Sequence, residues 1–283
     1  MPVIRPMHED DAAAVHDLAV RTFDDLASRR GETPEPRTVP AQAHIRYQHL
    51  VRTDPGGAWV AEDGDGIAGC ALALLRDGVW GLSLLIVRPE LQSEGVGSAL
   101  LRRAGEYADG ARGRIILSSQ DPRALRAYSR LGLAAHPCLL ANGTPRGVSV
   151  PDGVREGTDA DIPFTEVVDR HVRGAAHGAD IGAMLEMGHT LLIAPERGYA
   201  VVIEGALRLM AALDDDGARD VLRAVLAGAG ERMVTVEWIT AAQQWAVGVC
   251  LDAGLELRTN AGAVFLDGDV GPFSPYLPNG AFL

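Results

Sequence analysis

The chain begins with a short apolar run at Val3–Arg5 and an acid-rich stretch at Met7–Asp11. Apolar positions follow at Val15, Leu18, Ala19 and Phe23, the spacing of one helical face. Gly31, Pro34, Pro36 and Pro40 break that helix, and a second short helix is expected over Ala43–Arg52. Ala58–Glu62 and Ile67–Leu75 flank the turn Asp63–Gly66, which predicts a hairpin. Asp77–Gly78 makes another turn before the strand Trp80–Val87, which Pro89 closes. A glycine-containing loop then leads to a helix over Ser98–Ala108, a buried strand over Arg114–Ser118 and a helix over Pro122–Arg130 stopped by Gly132. The order is β, α, α, three antiparallel-type strands, α, β, α. Only the late strand–helix–strand unit reads as a parallel crossover, so the fold class is α/β with a mixed (α+β) sheet rather than full alternation.

The second half repeats this plan. Val154-Arg155-Glu156-Gly157-Thr158-Asp159-Ala160-Asp161 resembles Ile4-Arg5-Pro6-Met7-His8-Glu9-Asp10-Asp11, and each precedes an amphipathic helix. Leu191–Ala194, Tyr199–Glu204 and Leu207–Leu213 are strand-like, Ala218–Leu226 is helical, Val234–Trp238 is a strand and Ala241–Leu251 a helix. Leu131-Gly132-Leu133 matches Ala253-Gly254-Leu255 at the close of the last helix of each half. At roughly 150 residues per domain, 283 residues accommodate two domains. The expected division is 1–145 and 146–283, joined near Gly143–Gly153.

Composition narrows the function. Thirty-eight acidic residues against 26 basic ones give a net charge of -12, a field poorly suited to nucleic acid or an anionic membrane and better suited to an amine-bearing partner. Every basic side chain apart from His is Arg. The absence of Lys removes a Schiff-base lysine, a Gly-Lys phosphate loop and acetylation of an internal lysine. Cys70, Cys138 and Cys250 are odd in number and far apart, which fits neither a disulfide framework nor a metal site. The N-terminal stretch is charged and no apolar run reaches membrane-spanning length. These features lead us to expect a cytoplasmic protein, monomer or homodimer, and the Arg-only, Ala-rich usage suggests a GC-rich bacterial genome.

The chemistry-bearing stretch is Leu85-Ile86-Val87-Arg88-Pro89-Glu90-Leu91-Gln92-Ser93-Glu94-Gly95-Val96-Gly97-Ser98. A strand ends, a tight loop carries Gly95 and Gly97, and a helix begins. First-turn N–H groups at such a loop point outward unpaired, where a pyrophosphate can settle. A dinucleotide fingerprint would need a third glycine, and Leu100 stands there. Val-x-Pro-x-x-Gln-x-x-Gly-x-Gly instead resembles the acyl-CoA-binding motif of the GNAT superfamily of N-acetyltransferases. A second signature of that family, Asn-x-x-Ala-x-x-x-Tyr-x-x-x-Gly-Phe, has its counterpart in Asp121, Ala124, Tyr128, Gly132 and Leu133. Asp121 replaces the usual Asn and Leu133 the usual Phe.

The resemblance implies roles for these positions. Leu85, Ile86 and Val87 would lie along the pantetheine arm of acetyl-CoA, with a main-chain N–H polarising the thioester carbonyl. Gln92, Ser93, Glu94, Gly95, Val96, Gly97 and Ser98 would wrap the pyrophosphate, and Asp121 would contact the cofactor. Tyr128 would assist departure of the CoA thiolate, a modest acid of pKa about 10 beside a thiol of about 8.5. The acceptor would be the primary amine of a small molecule, attacking directly in a ternary complex, with no metal. Asp24–His49, which holds Asp24, Asp25, Glu32, Glu35, His44, Tyr47 and His49, would form the acceptor wall. Strand Trp80–Val87 offers only Ser83, with Ser118 and Ser119 after the next strand, so no base is named. A non-catalytic acyl-CoA-binding protein on the same scaffold is the alternative.

The second copy departs from the motif. Leu213-Asp214-Asp215-Asp216-Gly217 stands where the glycine loop should be, and three carboxylates would repel a pyrophosphate. Cys250 aligns with Tyr128 and Gln243 with Asp121, and a thiol in an apolar helix reads as structural. The second copy is therefore expected to be a degenerate GNAT-like domain. The stretch Gly271–Leu283 is proline-rich but finishes in apolar residues, so it is expected to dock.

Overall fold

Helix and strand follow the apolar periodicity along most of the chain. The computed structural model describes residues 2–31, 40–259 and 261–283. Two compact units divide it, Met1–Leu75 with Trp80–Ala111 and Arg76–Val79 with Arg112–Leu283.

The first unit is built from β1 (Val3–Pro6), α1 (Ala12–Arg29), α2 (Pro40–Thr53), β2 (Ala58–Asp63), β3 (Gly66–Arg76), β4 (Val79–Val87) and α3 (Val96–Glu106). Its strands stand in chain order, β1-β2-β3-β4, with β1 and β3 antiparallel to β2. Helix α1 buries Val15, Leu18 and Ala19, as their spacing predicts; Phe23 lies at the edge of that stripe and is exposed. Leu18, Leu50, Leu72, Leu74 and Leu100 are wholly buried, each stabilising the fold by about 1.5–3 kcal/mol. The buried Asp54 carboxylate accepts from Leu75 N at 2.9 Å, Thr53 Oγ1 at 2.6 Å and Tyr107 Oη at 3.2 Å, which ties α2, β3 and the end of α3 together.

The second unit contains β5 (Gly113–Ser118), α4 (Pro122–Arg130), β6 (Ala134–Pro137), β7 (Leu139–Gly143), β8 (Arg155–Glu156), α5 (Ile162–Arg173), α6 (Ala179–Glu186), β9 (Thr190–Ala194), β10 (Gly198–Ile203), β11 (Ala206–Ala212), α7 (Asp215–Gly228), β12 (Val234–Ile239), α8 (Gln244–Asp252), β13 (Glu256–Arg258), β14 (Ala263–Gly268) and β15 (Tyr276–Leu277). β8-β9-β10-β11 repeats the order β1-β2-β3-β4, with β15 added beside β11.

The last strands of the two halves are exchanged. β14, from the second half, lies between β5 and β6 of the first, antiparallel to both; β7, from the first half, lies between β12 and β13 of the second. A Cβ at Gly262 would sit 2.2 Å from Ser118 O, and one at Gly268 2.2 Å from Arg112 O, so glycine at both ends lets β14 enter. Contact thus groups β5 to β7 with the second half, whereas the division at 145 follows the sequence repeat. The sequence reading missed β6, β7, β13, β14 and β15, which are short and draw their stability from the neighbours they pair with. The stretch after Gly271 does dock: Phe273, Tyr276, Leu277, Phe282 and Leu283 are all buried.

A buried polar network underlies that docking. Tyr199 Oη donates to Asp169 Oδ1 at 2.5 Å, His177 Nδ1 lies 2.9 Å from Asp169 Oδ2, and His177 Nε2 lies 3.2 Å from Tyr276 Oη and 3.1 Å from Leu283 O.

The repeated motif makes the same ion pair in each half. Arg5 reaches Asp11 at 2.8 Å and Arg155 reaches Asp161 at 2.6 Å, and each carboxylate also accepts the N–H three residues before it. The Arg155 guanidinium and the Thr158 N–H lower the Asp161 carboxyl from 3.8 to about 2. A depressed folded value gives stability that is present above the unfolded value and lost as pH falls through the folded one. Asp161→Asn should therefore destabilise the protein near pH 6, with the deficit shrinking between about pH 4 and pH 2. Urea denaturation across that range reads it; a deficit unchanged by pH would contradict the ion pair's role.

Candidate functional site

The end of β4 and the start of α3 form a polar, backbone-rich loop in the first unit. Arg88 N donates to Ala68 O at 2.8 Å, and the Arg88 guanidinium pairs with Asp63, so the loop leaves the sheet held on both sides. Ser93 and Gly95 take positive φ angles of 71° and 91°, and Gly95 is the N-cap of α3. The first bond of the helix runs from Ala99 N to Gly95 O, so the N–H groups of Val96, Gly97 and Ser98 precede the intrahelical ladder. Gly95 has no side chain to cap them, and the first turn holds no acid. A Cβ at Gly97 would meet only Val87 Cγ2 at 3.4 Å. The arrangement offers outward donors and the positive end of a helix dipole.

The other predicted positions around this loop differ in availability. Ile86, Val87 and Val96 are buried, Leu85, Gln92 and Gly97 half-buried, and Ser93, Glu94, Gly95 and Ser98 exposed. Gln92 folds back onto the strand end: its Nε2 donates to Val87 O at 3.0 Å and its Oε1 accepts from Arg29 at 3.2 Å.

In the second unit, Asp121 is the N-cap of α4 and accepts from Arg123 N at 2.9 Å; its carboxylate also pairs with the Arg123 guanidinium at 2.6 Å. This ties the carboxylate to its own helix. Tyr128 packs edge-on against Phe265 of β14, with ring centroids 5.6 Å apart. Its hydroxyl bonds to no described residue. Burial raises its pKa, so the phenol stays protonated through physiological pH and can donate but not act as a base.

The facing helices α1 and α2 carry a cluster that sequence reasoning found only in part. His16, buried on α1, packs edge-on against His44 at 5.8 Å and lies 6.4 Å from Tyr47. Arg46 stacks over Tyr47 at 5.5 Å and donates from Nη2 to Ser83 O and Ser83 Oγ, both at 2.8 Å. Its Nε is buried without a partner, and it forms no ion pair among the described residues. Burial lowers its pKa, the cost of taking the cation out of water. Arg46 and His16 were missed because each sits singly in a helical pattern, with Ser83 remote in sequence. Asp25 pairs with Arg29, and Glu32 and Glu35 lie outside the described residues. Ser83 is occupied by Arg46, and Ser118 Oγ donates to Ser119 O at 2.9 Å.

Comparison with known proteins bears on this geometry. Residues 54–132 match the profile of the acetyltransferase (GNAT) domain family. Over this stretch the chain is similar to that family. No curated protein matches the chain by sequence. Among solved structures, a Pyrococcus horikoshii protein provisionally assigned as an acetyltransferase is 15% identical with a TM-score of 0.79, over 99% of this chain and 94% of its own. A GCN5-related N-acetyltransferase from Sphaerobacter thermophilus is 16% identical with a TM-score of 0.57, over 95% and 96%. A tandem GNAT protein from the clavulanic acid biosynthesis pathway is also 16% identical, with a TM-score of 0.56 over 95% and 99%. The fold is thus shared over nearly the whole chain, in the mixed α/β class expected.

The second GNAT-like copy has another helix start. The N-cap of α7 is Asp214, whose Oδ1 accepts from Gly217 N at 2.7 Å, and Asp215 and Asp216 follow in the first turn. One of the donors left open in α3, the third N–H of the helix, is capped here by the chain's own carboxylate. Cys250 is wholly buried, and burial pushes its thiol up to about 12, which leaves it unreactive. No described helix is long and apolar enough to cross a membrane, and among the described residues no group of three His, Cys, Asp or Glu could hold a metal ion.

Proposed function

We propose that the chain transfers an acetyl group from acetyl-CoA to the primary amine of a small molecule, in a ternary complex. The observation that carries this reading is the start of α3: three open N–H groups, a left-handed glycine and no acid in the first turn, at the end of β4. A pyrophosphate fits there by hydrogen bonds and by charge. The thioester would lie along Ile86 and Val87, where a main-chain N–H stabilises the oxyanion as the amine nitrogen forms its bond to carbon. The C–S bond then breaks, and Tyr128, neutral through physiological pH, is assigned the donor to the departing sulfur. The amine's proton leaves to solvent or to a group we do not assign.

Arg46 refines the acceptor. A guanidinium with one buried, unpartnered N–H and no carboxylate paired with it among the described residues suits a ligand's own anion. The acceptor class we assign is an amine that also bears a carboxylate or a similar anionic group. In a chain of net charge -12, such a cation without an acidic partner is notable among the described residues.

Three measurements test the reading. Calorimetric titration with acetyl-CoA should give one site per chain, weakened about 100-fold or more in Gly97→Glu by charge repulsion. That variant should fold, because its Cβ has room and an acid in a first helical turn is favourable. Two sites, or unchanged affinity in the variant, would count against the loop. Tyr128→Phe should lower kcat on the order of 10- to 100-fold with acetyl-CoA affinity nearly unchanged, consistent with a weak acid; an unchanged kcat would leave Tyr128 a packing residue. Arg46→Gln should raise KM about tenfold for phenylalanine, with little effect on phenethylamine, the size of one charge-assisted hydrogen bond. Equal effects on both amines would exclude an anion contact.

A further inference from the structure

Within the sheet β8-β9-β10-β11, the fourth strand corresponds to β4 of the first copy, and each runs through a short loop into a helix, α7 or α3. The outer edge of β11 therefore corresponds to the main chain of Ile86 and Val87. In the second copy a segment of the chain occupies it. Ala211 and Met210 pair antiparallel with Tyr276 and Leu277 of β15, and Ala212 N donates to Pro275 O at 3.2 Å. β12, which follows α7, lies in another sheet against β7, so β11 has no other partner on this side.

A second correspondence leads to the same segment. Gln243 stands where the first copy has Asp121, a position assigned above to cofactor contact by resemblance. Its Nε2 donates to Phe273 O at 2.7 Å, and the neighbouring Ala242 O accepts from Ser274 Oγ at 3.0 Å. The counterparts of two positions that the resemblance assigns to the cofactor, a strand end and a helix start, thus hold one short stretch of main chain, which turns at Phe273 and Pro275 and is strand only at Tyr276–Leu277. Phe273 N also donates to Val172 O at 2.7 Å, and Tyr276 reaches His177 in the buried network described above.

We propose that Phe273–Leu277 is a ligand held in cis, a segment whose main-chain amides are seated in the slot where the first copy takes the pantetheine arm. The inference rests on the acyl-CoA reading of the first copy. Pantetheine is an extended chain with two secondary amides, so main-chain donors at a strand edge and one side-chain amide recognise it and a peptide by the same chemistry. The second copy is then closed twice over: the α7 carboxylates exclude a pyrophosphate, and the peptide fills the slot. Its counterpart of Tyr128, Cys250, has no leaving group to protonate.

Hydrogen exchange on the full chain tests the proposal. In the ligand-free protein the Ala212 amide should exchange slowly, and saturating acetyl-CoA should leave the Leu209–Leu213 stretch unchanged. Ser274→Ala/Leu277→Ala removes one tether and one buried side chain while leaving Gln243 in place. Ala212 exchange should then rise about tenfold or more, as local opening becomes easier. Millimolar pantetheine should slow it again, which a strand serving only as packing would not permit. If the double variant does not fold, Ser274→Ala/Leu277→Val takes its place. Fast Ala212 exchange in the wild type, added protection at Leu209–Leu213 from acetyl-CoA, or no effect of pantetheine on the loosened variant would each overturn the proposal. Protection of Val87–Ser98 by acetyl-CoA is read in the same experiment. Its absence would overturn the first-copy reading, whatever Ala212 shows.

Discussion

Main-chain hydrogen bonds are the constraint on which this protein depends. A strand or helix end must place its N–H and C=O groups somewhere, and a buried group left unpaired costs about 1–3 kcal/mol. Short strands such as β6 and β13 pair on one side only, and β14 and β7 supply that partner by crossing between the halves. The outer edge of β11 is closed by Tyr276–Leu277. At α7 one of the donors, Gly217 N, is met by Asp214. At the start of α3 no side chain of the capping residue meets them, and there the candidate site lies.

The two copies show how function departs from a shared scaffold. Both keep the Arg–Asp pair that opens the motif and both close their last helix on a left-handed glycine, Gly132 and Gly254. These features serve folding, since the ion pair orients the first helix and the glycine ends the last one. The copies differ at the helix start after the fourth strand. An aspartate N-cap in place of a glycine one stabilises that helix by only about a few tenths of a kcal/mol and sets carboxylates where an anion would sit. Capping in the second copy takes the third N–H of a helix start that the first copy leaves open.

Much of this could be read from sequence because it is local. The Gly95–Gly97 loop, the Asp214–Asp216 run, the hairpins and the helices α3, α4 and α7 depend on spacing within about a dozen residues. Asp121 was placed at its helix start, but its carboxylate turns to Arg123 two residues on, a choice set by side-chain geometry rather than by motif. Arg46 and Ser83 are 37 positions apart, and Gln243 and Phe273 are 30 apart. No periodicity links them.

By itself the sequence determined the repeat, the mixed α/β order and the glycine-rich helix start at Gly95–Gly97, since each follows from local turn chemistry and apolar spacing. Only the tertiary structure decided that β7 and β14 change places, that Arg46 has no acidic partner among the described residues, and that Tyr276–Leu277 pairs with the edge of β11. Those outcomes depend on which main-chain and charged groups meet after folding, and distant segments compete for the same partners until the chain is compact.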